Sequence, residues 1–420
     1  MATSDPLKQI SIDHLIPGMF IVAVDVPWYR TPFFSHKRLI HDFATIERIK
    51  QCGIRIVTID RSKGKDVPPG VMRNTPVADV MRPTGGGSDE ASIGMTTPVQ
   101  TQTDSVHTLY AEAQQAVELI FDDLERGVPP PPATTKAIVS KMLARIITDR
   151  TAVMTQLAVR KIKQFDRSLA AHALDTCILS LVVAVESGLD ETMQGHLGAG
   201  ALLHDAGYVR LPRNLVRRRD DCSEQERALL QQHPKLGIAF LTEESGIHEE
   251  VKRIVAEHHE RGNGSGFPAG EKNEAISQLA KIVGIVDWYD GMVSRRGGRP
   301  VMLPHEAVRQ LFLAGEQGQF EKSLTEIMIR SVGVYPVGSL VRLNTGEHAI
   351  VVGVNPGQRL KPLVKIIGGP RGESYPKPVQ VDLAAETQDR VVRTVLRVLD
   401  PAQERVNIAM FLDEAFPQAA

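Results

Sequence analysis

The fold is decided by a short stretch at residues 198–205, which reads GAGALLHD. Its small residues allow a helix to pack closely inside a bundle, and it ends on His204 and Asp205. Carboxylate and imidazole side chains are seldom fully buried unless they are paired or bind a metal. The stretch therefore predicts a helical domain built around a polar centre.

Further histidines and an aspartate flank this stretch at intervals of about one helix and its connection. They are His172, His233, the pair His258-His259, and Asp287. Several helices of a bundle can each direct one such group at a shared centre. Nitrogen and oxygen ligands without thiolate favour Zn, Mn, Fe or Ni over a soft metal. The spacing therefore predicts a metal site, whereas His196 and His248 lie outside it and are interpreted as ordinary residues.

The number of ligands indicates more than one ion. Adjacent helical residues point roughly 100° apart, so His204-Asp205 and His258-His259 are each better placed to serve two ions than one. An aspartate can bridge two ions, whereas an imidazole serves one. Two neighbouring divalent ions are the usual device for hydrolysing phosphate esters, because they activate water and neutralise the phosphoryl oxygens.

Composition excludes several classes of protein. The chain has 420 residues with 49 Lys+Arg against 50 Asp+Glu, so we expect no nucleic acid held mainly by charge. Three separate cysteines, Cys52, Cys177 and Cys222, build neither a disulfide framework nor a thiolate cluster. The first residues lack the apolar stretch of a signal peptide, and no apolar run of about 18 residues is apparent. We therefore predict a cytoplasmic protein with no membrane partner.

The chain is predicted to be mainly α, with a small α+β domain at residues 1–65 that includes a helix over residues 43–51 and a strand over residues 54–60. Residues 66–104 are rich in Gly, Ser, Thr and Pro and predict a flexible linker. A helical connector (105–164), a helical domain (165–333) and a β hairpin with a tail (334–420) follow.

The connector begins with an apolar stripe at heptad spacing. It consists of Val106, Tyr110, Ala113, Val117, Ile120 and Leu124. We interpret this stripe as packing against its own domain. The alternative is a homodimer formed through residues 106–124 as a short coiled coil.

Several ordered motifs between residues 172 and 352 resemble the HD-GYP branch of the HD-domain phosphohydrolases. They are LHDAG (203–207), QHP (232–234), HHER with GSGFP (258–261 and 264–268), VDWYD (286–290) and YPVG (335–338). The first 65 residues also resemble a small domain of unknown function that commonly precedes HD-GYP domains in bacteria. Residues 15–19, LIPGM, and 28–33, WYRTPF, carry that second resemblance.

The resemblance implies an HD-type helical bundle that hydrolyses the bacterial messenger cyclic di-GMP to pGpG or GMP, with two divalent ions, usually iron or manganese. Asp205 and His204 are implied to be catalytic, with Asp205 bridging the ions. One ion is assigned to His172, His204 and Asp287, and the other to His233, His258 and His259. Arg296 and Arg299 are implied to hold the dinucleotide, for which bidentate phosphate contacts or stacking on guanine suit a guanidinium.

The sequence departs from the HD-GYP pattern at three positions near the expected substrate site. Tyr208 replaces the usual lysine, Asn263 replaces an aspartate, and Phe267 replaces the signature tyrosine beside Gly266. Tyr208, Asn263, Gly266 and Phe267 are still expected to line the substrate, because they follow the metal ligands directly. Ser168 stands where some members carry a glutamate for a third metal, so two metals are expected.

These departures leave three hypotheses open. The first is a cyclic di-GMP phosphodiesterase in which the metal centre activates water. The second is a degenerate effector that binds metal and the dinucleotide and signals to a partner protein. The third is an HD phosphohydrolase that acts on other nucleotides.

Overall fold

This computed structural model describes residues 7–24, 38–40, 43–51, 54–66, 98–163, 168–219, 221–241, 246–294, 301–355, 357–371, 373–385 and 392–412. Arg296, Arg299 and residues 28–33, which carry predictions made above, lie outside these ranges. The chain divides into two compact units between Thr96 and Thr97.

The N-terminal unit is a small antiparallel sheet with one helix. Its elements are β1 (Leu7–Ser11), β2 (Phe20–Val24), β3 (Arg38–Leu39), α1 (Phe43–Gln51) and β4 (Ile56–Asp60), and the strand order is β1-β4-β2-β3. Ile46 and Ile49 of α1 are buried with Met19 and Val57. The predicted α+β character and α1 are confirmed, while β4 begins two residues later than predicted and β1 was not predicted.

The second unit is mainly helical, as predicted. Its helices are α2 (Pro98–Glu125), α3 (Pro132–Lys163), α4 (Leu169–Glu186), α5 (Glu191–Leu203), α6 (Arg213–Arg217), α7 (Glu224–Leu230), α8 (His233–Ile238), α9 (Glu249–Glu257), α10 (Gln278–Val293), α11 (Pro304–Glu316) and α12 (Lys322–Val332). One continuous apolar core contains buried residues of α2 to α5 and of α9 to α12, with α4 and α5 near its middle, while Leu215 of α6 and Leu230 of α7 belong to a smaller apolar cluster.

The apolar stripe of α2 packs inside this unit. Its six predicted residues are all buried in the common core, against α3 and α4. This packing confirms the first interpretation, because the stripe is covered by its own chain. A homodimer through residues 106–124 stays a prediction and would need another face of the helix. The helix also begins at Pro98, so the last residues assigned to the linker are helical.

Two long helices have features that the sequence analysis did not anticipate. The backbone of α3 leaves helical dihedral angles at Asp149, whose carboxylate accepts a hydrogen bond from the amide of Ala152 at 2.9 Å and so caps the second half of the helix. Among the described residues, α4 is long and apolar enough to cross a membrane, with a mean hydropathy of 1.7. Because 83% of that window is buried inside the unit, we interpret α4 as a core helix.

A five-stranded antiparallel sheet completes the second unit. Its strands are β5 (Leu340–Leu343), β6 (His348–Gly353), β7 (Leu363–Gly368), β8 (Ser374–Asp382) and β9 (Val395–Leu399), in the order β8-β7-β6-β5-β9, followed by α13 (Ala409–Leu412). The predicted hairpin is β5 and β6. The predicted hairpin and tail understate this region, because β7, β8 and β9 extend the hairpin into a five-stranded sheet.

Candidate metal centre

The seven residues predicted as metal ligands come together in the interior of the helical unit. His172 lies on α4 and Asp287 on α10, whereas the others lie where short helices begin or end. His204-Asp205 follow α5, His233 opens α8, and His258-His259 follow α9. All are buried except His259, whose side chain is 16% exposed.

The seven side chains form two groups of closely spaced ligand atoms. One group is Asp205, His233, His258 and His259, and the other is His172, His204 and Asp287. Within each group the ligand atoms lie within 4.8 Å of one another. This is the division that the family resemblance implies.

Asp205 stands between the two groups. Its Oδ1 lies 3.4 Å from Nε2 of His233 and 3.9 Å from Nε2 of His258. Its Oδ2 lies 3.5 Å from Nε2 of His204 and 3.6 Å from Nε2 of His172. A carboxylate with one oxygen towards each set of imidazoles has the geometry of a bridging ligand.

Three of the imidazoles are oriented by the main chain in the same way. Nδ1 of His204 lies 2.7 Å from the carbonyl of Ala201, and Nδ1 of His233 lies 2.8 Å from that of Leu230. Nδ1 of His258 is 3.0 Å from the carbonyl of Val255. The last four carbonyls of a helix lack partners within that helix, so α5, α7 and α9 each end with an acceptor for the histidine three residues further on.

These contacts determine which ring nitrogen carries the proton. A carbonyl only accepts, so Nδ1 must donate in each ring and Nε2 keeps its lone pair when the ring is neutral. Burial lowers the pKa of His233 to about 3 and that of His258 to about 3, and it lowers the pKa of His259 well below its usual value. The rings of His233, His258 and His259 are therefore neutral near pH 7, the form that binds metals.

The donor set fits divalent cations. Nε2 of His233 and Nε2 of His258 are only 3.2 Å apart, although both carry lone pairs, and such a pair is favourable when a cation lies beside it. Nε2 of His204 is buried and has no hydrogen-bond partner among the described residues. A buried acceptor without a partner costs free energy that a metal ion would recover.

His172 is held by a side chain instead. Its Nδ1 lies 2.8 Å from Oδ2 of Asp290, and its Nε2 lies 3.0 Å from Oδ1 of Asp287. Asp290 thus orients the ring as carboxylates commonly do behind metal-binding histidines. Asp290 was assigned no role from the sequence, although its position three residues after Asp287 places both carboxylates on one face of α10.

Two aromatic rings cover the ligands of one group. Tyr208 stacks on His233 with ring centroids 4.0 Å apart, and Phe267 stacks on His259 at 4.4 Å. The guanidinium carbon of Arg219 lies 5.4 Å from the centre of the Tyr208 ring. Tyr208 and Phe267 therefore lie beside the predicted ligands, while their contact with a substrate stays a prediction. Arg219 adds a cation that was not identified from the sequence.

The other two predicted substrate residues shape the loop after His259. Oδ1 of Asn263 accepts hydrogen bonds from the amide of Ser265 at 3.0 Å and from its hydroxyl at 2.7 Å, so this atom stabilises the turn. A Cβ at Gly266 would lie 2.5 Å from the backbone of residues 259–261, so the loop requires glycine there. Ser168, the position linked to a third metal, caps α4 by accepting from the amide of Ala171 at 3.1 Å.

Family comparisons agree with this organisation. Residues 141–324 match an HD domain, residues 7–134 match a domain of unknown function (DUF3391), and residues 340–400 match a KOW domain associated with the HD domain. The chain therefore carries an HD domain over residues 141–324 and resembles the HD-type hydrolases. The N-terminal match extends beyond the predicted domain of residues 1–65 and includes α2.

Individual relatives are bacterial. A cyclic di-GMP phosphodiesterase of Pseudomonas aeruginosa is 28% identical over 92% of this chain and 91% of its own length. A 3'3'-cGAMP-specific phosphodiesterase of Vibrio cholerae is 26% identical over 39% of this chain and 31% of its own. The structure of an HDG"Y"P protein from Bdellovibrio bacteriovorus matches with a TM-score of 0.45 and 18% identity, covering 77% of this chain and 98% of that one.

Proposed function

We propose that this chain is a metal-dependent phosphodiesterase that hydrolyses cyclic di-GMP to pGpG, GMP or both in the bacterial cytoplasm. The observation that carries the proposal is Asp205, whose two oxygens face two separate groups of imidazoles. The relative from Pseudomonas, similar over nearly the whole chain, supports the choice of substrate.

Two divalent ions, iron or manganese, would be held by the two groups. His172, His204 and Asp287 would hold one, His233, His258 and His259 the other, with Asp205 shared. Bound ions of this kind acidify water and neutralise charge on phosphoryl oxygens. No side chain of the chain is then needed as a general base.

The protein's own residues supply orientation and a dry environment. Main-chain carbonyls fix His204, His233 and His258, so these ligands need no rearrangement when the substrate arrives. The rings of Tyr208 and Phe267, with the guanidinium of Arg219, offer stacking surface and positive charge beside the ligands. Arg296 and Arg299 are proposed to hold the phosphates or guanines of the dinucleotide.

The test is hydrolysis of cyclic di-GMP by the full chain loaded with manganese, or with iron under reducing conditions, followed by chromatography of the nucleotides. We expect pGpG or GMP from the wild type, and loss of more than about 100-fold in rate for Asp205→Ala, because even residues that only support a ligand contribute 10–100-fold. Asp122→Ala, on the exposed face of α2, is the matched control and should retain full activity.

Equal inactivity of the wild type and Asp205→Ala, with cyclic di-GMP still bound by both, would refute the enzyme and leave the effector hypothesis. The same assay with 3'3'-cGAMP measures the preference of the chain among cyclic dinucleotides. We include this substrate because the relative from Vibrio is a 3'3'-cGAMP-specific phosphodiesterase.

A further inference from the structure

Lys161 is a buried cation close to the metal centre to which the mechanism above gives no part. It lies near the end of α3, and its side chain is 13% exposed. Its ammonium group contacts a carboxylate oxygen of Asp290, and it lies 3.2 Å from the hydroxyl of Ser294 and 3.6 Å from Oδ2 of Asp175. Every one of these partners is itself buried.

Asp290 connects this lysine to a predicted metal ligand. Its Oδ1 faces Lys161, while its Oδ2 lies 2.8 Å from Nδ1 of His172 and accepts from Ser294 at 3.1 Å. A buried carboxylate is costly unless a cation pairs with it. Lys161 therefore stabilises Asp290 as an anion, which can accept the Nδ1 proton of His172 and leave Nε2 directed at the centre.

The helix that carries Lys161 is fixed from its other side. Val159 of α3 is buried in one apolar cluster with Leu340 and Ile350 of the C-terminal sheet. The hydroxyl of Thr155 lies 3.4 Å from the carbonyl of Val352. The end of α3 is thus held between the sheet and Asp290, which gives Lys161 a defined position.

We propose that Lys161 is a positioning residue that fixes His172 through Asp290. It thereby sets the affinity for a metal ion of the site formed by His172, His204 and Asp287. The three partners of its ammonium group given above, Asp290, Ser294 and Asp175, all lie outside both groups of predicted ligands. This inference rests on the proposed metal centre but not on the identity of the substrate.

The test is titration of the metal-free full chain with manganese alone, using a competing chelator to resolve the two dissociation constants. We expect Lys161→Met to weaken one manganese site by about 10–100-fold and to leave the other unchanged, since residues that orient a ligand have effects of this size. Lys161→Arg should restore most of that affinity. Lys141→Met, the same change at an exposed position of the same helix, should match the wild type.

Thermal melting of each metal-free variant separates positioning from folding. If Lys161→Met does not fold, Ser294→Ala replaces it, because this change removes a hydroxyl that contacts both Lys161 and Asp290, and it should weaken the same single site to a smaller extent. Equal weakening of both sites, or no difference from Lys141→Met, would overturn the proposal. Two manganese ions bound without any hydrolysis would refute the proposed function alone, whereas no manganese binding by the wild type would refute both.

Discussion

At the scale of single residues, the lowered pKa values of His233 and His258 make the stability of the protein depend on pH. In the folded chain the pKa of His233 and of His258 is lowered to about 3 by burial, against an ordinary value of 6.5. Below pH 6.5 the unfolded chain binds protons at these rings and the folded chain does not. The free energy of unfolding of the metal-free protein therefore falls as the pH is lowered from 6.5 towards 3.

His258→Gln tests this linkage, because glutamine cannot titrate. Between about pH 6 and pH 4, we expect the free energy of unfolding of the metal-free wild type to fall more steeply than that of the variant, by up to about 1.4 kcal/mol per pH unit. Urea unfolding at a series of pH values, with a chelator present, gives both slopes. Parallel slopes would show that His258 is not held neutral by burial.

Tyr208 places a neutral side chain beside the predicted metal centre. Its ring stacks on His233, where a lysine would instead supply a full positive charge for the phosphate. We expect Tyr208→Lys to raise kcat/KM for cyclic di-GMP by about tenfold, less than the roughly 100-fold that one well-placed donor commonly contributes. Tyr208→Phe keeps the stacked ring and should change kcat/KM little. An unchanged or lower kcat/KM for the lysine variant would mean that Arg219 already supplies the charge.

At the scale of elements, the turn after α5 and the start of α8 touch through their backbones. A Cβ at Gly207 would lie 1.8 Å from the carbonyl oxygen of His233, so the two segments can approach only with glycine there. We expect Gly207→Ala to lower the free energy of unfolding by about 3 kcal/mol, the upper end for overpacking. Chemical denaturation measures it.

Gly195→Ala is the matched control, because a Cβ at Gly195 in α5 meets nothing within 4 Å. Alanine has the higher helix propensity, so this variant should be as stable as the wild type or more stable by up to about 1 kcal/mol. Equal destabilisation by both changes would contradict the role given to close backbone contact.

Elements also show what the sequence could and could not predict. The stripe of α2 repeats at heptad spacing, so its burial was predictable, whereas its partner was not, because periodicity identifies an apolar face but not what covers it. The clustering of the seven histidine and aspartate side chains was predictable from residue type and spacing. Asp290 and Lys161 were not assigned, because a carboxylate or lysine beside an apolar run becomes informative only when the fold brings them together from α10 and α3. No short hairpin signal marks strands β7 to β9, so their residues were predicted to be a tail and not part of a sheet.

At the scale of the whole molecule, metal binding and folding are linked. The ligands come from distant parts of the sequence, so the unfolded chain cannot hold the ions in the same way. A ligand at 100 times its dissociation constant adds about 2.7 kcal/mol for each site. We therefore expect manganese to raise the Tm of the wild type by at least about 5 °C, and a chelator to reverse it.

Calorimetry with and without manganese measures this shift. Asp205→Ala should lose most of it, because Asp205 faces both groups, while Asp122→Ala should keep it. A shift of the same size in Asp205→Ala would place the stabilising ions elsewhere in the chain.

The main-chain carbonyls that orient three of the imidazoles also determine which amino-acid substitutions the centre tolerates. Ala201, Leu230 and Val255 can drift to other amino acids without deleting the acceptor, because every residue retains its carbonyl. His172 has no such protection, since one nucleotide change can remove the carboxylate of Asp290. A substitution at residue 290 can therefore alter the half of the centre that contains His172 without changing a predicted ligand.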